Sequence, residues 1–165
     1  MKTLLALLLV LLLADPAHAE GTHAPLGYQL MCLRHPAACQ GSGPASIEPG
    51  PAVLRLLDKI NLAVNRQIRP RADRGFDTWS LDAKAGDCED YVLAKRQQLI
   101  AAGLPANALR IAYVKTRAGE GHAVLVVVAG SEHYVLDNLT SAIRPLARTG
   151  YRLISMQGEN PGIWG

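Results

Sequence analysis

The chain has few aromatic side chains: one Phe, two Trp and five Tyr in 165 residues. Its charge is also modest, with 17 Lys and Arg against 14 Asp and Glu for a formal net +3, and the basic residues are scattered. Nucleic-acid binding needs a basic stripe with stacking aromatics, so that class is excluded. Three cysteines are too few for a disulfide scaffold, and the core must carry the fold. Several catalytic and metal motifs are missing: H-E-x-x-H, C-x-x-C, a phosphate-cradling glycine loop and G-x-S-x-G. The paired ligands of a structural zinc site are missing too. No internal repeat is visible.

Long apolar runs are limited to one, over residues 4–13, shorter than the roughly 20 residues a membrane span needs. Lys2 precedes it and Ala17-His18-Ala19 follows. A positive start, a short apolar stretch and a small-x-small ending make residues 1–19 a cleavable export signal. Residues 20–165 then form a single domain with room for a real core. The leader carries Lys2 and Asp15, so its removal leaves the net charge unchanged. In an oxidising compartment an odd cysteine count leaves one thiol over. Cys32 and Cys39 are close enough to close a small loop, Cys88 stands apart, and a reduced trio stays open.

Residues 20–51 are rich in Gly, Pro, Ser and Ala and read as an irregular arm. Val53, Leu57, Ile60 and Val64 follow a three-four spacing, which predicts an amphipathic helix ending before Pro70. A polar connection over 71–86 follows, with Trp79 as a core residue or a lining of the substrate cleft. The next helix is the best marked: Asp87 caps it, Glu89 and Asp90 occupy its first turn, and Gly103 with Pro105 ends it. Val92, Leu93, Leu99 and Ile100 form its apolar stripe. Beyond it the period falls to two, and residues 109–116, 122–128, 134–137 and 151–156 read as strands. The tail, 158–165, reads as a surface segment.

Cys88 falls at the first helical position of Gly86-Asp87-Cys88-Glu89-Asp90-Tyr91. A helix start favours the thiolate, and its free N–H groups suit a developing oxyanion. Gly86 would let a substrate backbone approach closely. The three flanking carboxylates oppose thiolate formation. A bound cation would resolve that conflict, although capping by Asp87 and Asp90 with a solvated Glu89 explains the same residues more simply. His122 opens one strand and Asp137 closes the next. Any even-length loop between these strands keeps both side chains on one face, which allows a carboxylate to orient an imidazole across the hairpin. A two-residue loop at Ala129-Gly130 would set 122 opposite 137, and a longer one would set Asp137 opposite Val124. His133 falls in the hairpin loop.

Taken together, these stretches resemble the bacterial transglutaminase-like cysteine proteinases. Gly86-Asp87-Cys88-Glu89-Asp90-Tyr91, continuing through Lys95 and Leu99 to Gly103, is similar to the nucleophile helix of that family. His122-Ala123-Val124-Leu125 and Val135-Leu136-Asp137-Asn138-Leu139 resemble its other two motifs, and Cys32-Leu-Arg-His-Pro-Ala-Ala-Cys39 its early cysteine segment. The resemblance implies an α+β fold with a papain-like or transglutaminase-like core, in which the nucleophile helix packs on an antiparallel sheet. It implies a Cys88-His122-Asp137 triad and Ca²⁺ held by Asp87, Glu89 and Asp90. A periplasmic branch of the family cuts a large surface adhesin near its N-terminus to release cells from a biofilm, and an inner-membrane cyclic-di-GMP receptor sequesters the protease. Two rival functions fit the same residues: acyl transfer to an amine, as in a transglutaminase, and a periplasmic binding module with an inert triad.

Overall fold

The computed structural model describes residues 22–165; the export signal expected at 1–19 lies outside them. In chain order the elements are β1 (Thr22–His23), α1 (Leu26–Arg34), α2 (Pro51–Gln67), β2 (Arg69–Pro70), β3 (Ala85–Gly86), α3 (Cys88–Ala101), β4 (Leu109–Lys115), β5 (Gly121–Ala129), β6 (Glu132–Leu136), β7 (Arg144–Pro145), β8 (Arg152–Met156) and β9 (Ile163–Trp164). No helix among the described residues is long and apolar enough to cross a membrane.

The expected α+β architecture is present. A five-stranded antiparallel sheet runs β7-β6-β5-β4-β8, and α3 packs on its central strand β5, with α2 against α3. From His122 onward every residue of β5 is buried, because both sheet faces are covered. Ala123, Leu125 and Val127 join the helices in the larger core, whereas Val124 and Val126 meet Ala112, Val114 and Val135 under Leu146, Tyr151 and Met156. A strand buried on two sides needs an unbroken apolar run, which His-Ala-Val-Leu-Val-Val-Val supplies.

Helix α2 starts with Pro51 at its first turn, where a missing N–H costs nothing. It turns Leu57, Ile60 and Val64 inward as the spacing predicts. Helix α3 ends in a Schellman motif: Leu104 N–H reaches Leu99 O at 3.0 Å and Gly103 N–H reaches Ile100 O at 2.9 Å, with Gly103 at φ +96°. Val92, Leu93 and Leu99 of the predicted stripe are buried, but so are Tyr91, Lys95 and Arg96, so the helix is enclosed on most sides.

Two sequence expectations fail. The arm over 20–51 contains a real helix, α1, which buries Tyr28 and Met31. Gly27 sits on it because a Cβ there would collide with the indole of Trp79, so the glycine that suggested a loop marks close packing instead. The tail is no surface segment: β9 pairs antiparallel with β1, and Trp164, 1% exposed, meets Tyr28 edge-on at 5.6 Å. Cys32 and Cys39 are disulfide-bonded. The short 3-10 turn that carries Cys39 is tied to α3 by Arg96, whose guanidinium donates to Ala38 O at 2.9 Å and Leu109 O at 3.0 Å.

Candidate active site

Cys88 is the free thiol, half-buried at the first residue of α3. Its sulfur accepts a hydrogen bond from the N–H of Ala123 on β5 at 3.3 Å and donates to Glu89 Oε2 at 3.3 Å. The packing of α3 on β5 therefore brings the thiol to the residue next to His122. Burial pushes the thiol up to about 12, the Glu89 and Asp87 carboxylates add to that rise, and the Ala123 amide opposes it.

The hairpin from β5 to β6 turns over a two-residue loop at 130–131, with Ala129 paired to Glu132 and Leu125 to Leu136. Gly130 takes φ +58° at the first loop position, where a two-residue hairpin turn requires the left-handed region. The loop lies one residue later than Ala129-Gly130. Continuing its register sets Asp137 across from Val124, on the face His122 shares. His133 is not in the loop; it pairs with Val128.

His122 Nε2 lies 2.8 Å from Asp137 Oδ1, and both residues are buried. Asp137 also accepts the Leu139 N–H at 2.9 Å and the Tyr151 hydroxyl at 2.5 Å. Burial would raise Asp137, but the bonds from His122, Tyr151 and Leu139 outweigh it and hold the carboxyl below its usual range. Burial and the Asp137 carboxylate in turn raise the Tyr151 phenol, and its ring stands edge-on to the imidazole at 5.8 Å. Tyr151 was legible only as the start of a strand. Its place beside Asp137 depends on a crossover from β7 to β8 at the far edge of the sheet, which no local pattern encodes.

The acidic residues divide. Asp73, Asp87 and Glu89 bring their carboxylate oxygens within 4.8 Å of one another. Asp73, from the polar connection, stands where Asp90 was expected. Asp90 instead accepts the Ser80 N–H at 2.8 Å and folds back over Gly86, where a Cβ would clash with its carboxylate. That contact, rather than substrate approach, explains the glycine. Asp87 occupies the N-cap position of α3 without a side-chain capping bond. Its Oδ2 accepts the Asp73 N–H at 3.2 Å, and its buried Oδ1 has no partner among the described residues. Burial, with Asp77 and Asp87 alongside, pushes Glu89 up to about 9. Trp79 is 5% exposed, edge-on to Tyr28 at 5.5 Å and bonded to Asp77, so it belongs to the core and not to a cleft.

The sequence profile of the bacterial transglutaminase-like cysteine proteinases matches residues 18–165. The chain belongs to that family. Among solved structures it is similar to calcium-bound LapG of Legionella pneumophila, at 29% identity and a TM-score of 0.58, over 68% of this chain and 67% of that one. EGTA-treated LapG of the same organism gives 28% identity and a TM-score of 0.57, over 68% of this chain and 65% of that one. The matched part thus spans about two thirds of those chains. No curated protein matches the chain.

Proposed function

We propose that this protein is a periplasmic, calcium-dependent cysteine endopeptidase in which Cys88 is the nucleophile, His122 the general base and Asp137 the residue that orients it. The observation that carries this reading is the 2.8 Å contact of His122 with Asp137, adjoining the Ala123 amide that donates to the Cys88 sulfur. With Nε2–H committed to Asp137, Nδ1 is left to take the thiol proton. The thiolate then attacks a peptide carbonyl, forming a C–S bond and moving the carbonyl π electrons onto oxygen. Free N–H groups in the first turn of α3 face that charge. His122 hands its proton to the departing amine as the C–N bond breaks. It then deprotonates the water that releases the acyl group, and the thiol is restored.

Three features of the acidic cluster fit a hard dication. The donors are all carboxylate oxygens, they converge within 4.8 Å, and the buried Asp87 Oδ1 is unpartnered. Asp73, Asp87 and Glu89 would hold Ca²⁺, with Asp90 fixing the adjoining loop through Ser80. The bound ion supplies positive charge that offsets the carboxylates raising the thiol.

The substrate in this reading is the N-terminal region of a large outer-membrane adhesin, whose cleavage releases it from the cell surface and disperses the biofilm. An inner-membrane cyclic-di-GMP receptor is the partner that would sequester the protease. Support comes from the family motifs and from the likeness to L. pneumophila LapG, of which calcium-bound and EGTA-treated forms are known. The test is to purify the protein without residues 1–19 and incubate it with adhesin N-terminal fragments in CaCl₂ or EGTA. A single cut that needs calcium and vanishes in Cys88→Ala is expected. Cleavage by Cys88→Ala would refute the reading, and incorporation of a labelled amine in place of water would make the enzyme an acyltransferase.

A further inference from the structure

The turn after β4 and the crossover from β7 to β8 border a cavity of about 230 Å³ whose polar lining is Arg117, Asp137, Thr140, Arg144, Thr149 and Tyr151. Small-molecule sites run to about 300–1,000 Å³, so this one suits a single side chain better than a cofactor. It adjoins the proposed triad. Asp137 belongs to its wall, and the Tyr151 ring, also in the wall, stands 5.8 Å from the imidazole of His122.

The charge of this cavity is unbalanced. The Arg117 guanidinium is folded onto Gly150, where a Cβ would collide with it, so it is laid against the crossover although the residue remains exposed. Arg144 comes from β7, paired with Val135, and lines the same space. Neither guanidinium has a hydrogen bond or an ion pair among the described residues. The nearby acids do not neutralise them. Asp137 Oδ1 is taken by His122 and the Leu139 N–H, and Oδ2 by the Tyr151 hydroxyl. Glu120, in the same turn as Arg117, is exposed and forms no ion pair with it. Thr140 Oγ1 accepts the Ala142 N–H at 3.2 Å, which leaves its own hydroxyl hydrogen free to donate. The space therefore offers two guanidiniums and a hydroxyl as donors, against one carboxylate that is already bonded. A guanidinium binds a carboxylate through paired N–H···O bonds, whereas a cationic side chain would be repelled by both arginines.

We propose that this cavity is a specificity subsite of the peptidase, in which Arg117 and Arg144 receive an Asp or Glu side chain of the protein substrate. The inference rests on the peptidase reading above and adds a sequence requirement to it. An extended peptide advances about 3.3–3.6 Å per residue. An acid within about four residues of the scissile bond thus reaches from Cys88, past the imidazole, to the two arginines.

The test gives the protein, in CaCl₂, a library of proteome-derived peptides and reads the cut sites by mass spectrometry. Asp or Glu should be enriched at one fixed position within about four residues of the cut. For the best-cut peptide, changing that acid to its amide should lower kcat/KM about 10- to 100-fold, mainly through KM, as expected for one charge-assisted pair. In Arg117→Gln and Arg144→Gln the acid-to-amide ratio should fall toward one, furthest in the double variant. Arg110→Gln, which removes a basic residue outside the cavity, should keep the ratio. Thermal unfolding shows which variants are folded, and the single variants are read if the double does not fold. Cuts with no acidic preference, or a preference that survives in the folded variants, overturn the inference. If the wild type cuts no peptide, it is the peptidase reading that falls, and binding then decides the subsite. Capped Ala-Glu-Ala at about 10 mM should shift the NMR amide signals of Thr149, Gly150 and Tyr151, and capped Ala-Gln-Ala should not. Equal responses to the two peptides overturn the subsite as well.

Discussion

Asp137 and Glu89 are both buried carboxylates of the same site, at 2% and 5% exposure, yet they are driven in opposite directions. Asp137 is held below its ordinary range by the imidazole, a phenol and a backbone amide. Glu89 is pushed up to about 9 by burial and by Asp77 and Asp87. Burial alone penalises both anions, so the difference lies in their neighbours. On the sheet side the chain supplies its own donors, and the hydrogen bonding around Asp137 is complete. On the helix side three carboxylates crowd together with few donors: Asp87 takes the Asp73 amide, Glu89 the Cys88 thiol, and the buried Asp87 Oδ1 has no partner among the described residues.

The contrast can be broken in several places. The largest effect falls on the thiol: Cys88→Ala should reduce adhesin-fragment cleavage by at least about 10³-fold, with the unfolding midpoint nearly unchanged, since the half-buried sulfur adds little packing. Next comes the unfinished side. Calcium should raise the thermal midpoint of the wild type by binding the folded state. Asp73→Asn should require about 10- to 100-fold more calcium for the same rise, a loss of the size seen when a metal site's supporting carboxylates are removed. An unchanged calcium response would remove Asp73 from the site. On the complete side, Tyr151→Phe deletes one of three donors to Asp137. A roughly tenfold loss of cleavage rate is expected, a single buried charge-assisted bond being worth about 1.5–3 kcal/mol and partly compensated by the others.

The smallest effect is on stability against pH. Lys95 is lower in the folded chain, at about 7, than its ordinary value of 10.5. Between those values the unfolded chain binds the extra proton, so stability rises with pH from 7 to 10.5 and is lost as pH falls back through that window. The unfolding midpoint of wild type minus that of Lys95→Met should therefore climb by a few degrees from pH 7 to pH 10. A flat difference would mean that Lys95 keeps its proton through this window in the folded chain.

How much of this was legible in the sequence follows from whether the signal was local. The Cys88 helix was marked by an acidic first turn and a terminal Gly103, and both ends fall where they were expected. The β5–β6 hairpin was readable because a two-residue period with a glycine turn leaves few registers, and only the position of the loop shifted by one. The α1 helix was hidden because Gly27 and Pro25 mimic a loop when the packing of Trp79 is unknown. Trp164 gave no sign of its burial, since its partner strand lies at the other end of the chain. In the site, Cys88, His122 and Asp137 stood out by residue type and order. Asp73 and Tyr151 did not: an acid in a polar loop and a tyrosine before a strand are ordinary until tertiary contacts give them partners. Asp90 was the reverse case, conspicuous in sequence but turned toward Ser80.

The coupling of the thiol to the imidazole is the point on which the site stands, and reactivity reads it without any knowledge of the substrate. Purified protein in excess calcium chloride, treated with iodoacetamide at pH 7, should be alkylated at Cys88 at least about tenfold faster than its His122→Ala variant, because the imidazole stabilises the thiolate. Equal rates in two well-folded proteins would contradict a nucleophile worked by His122.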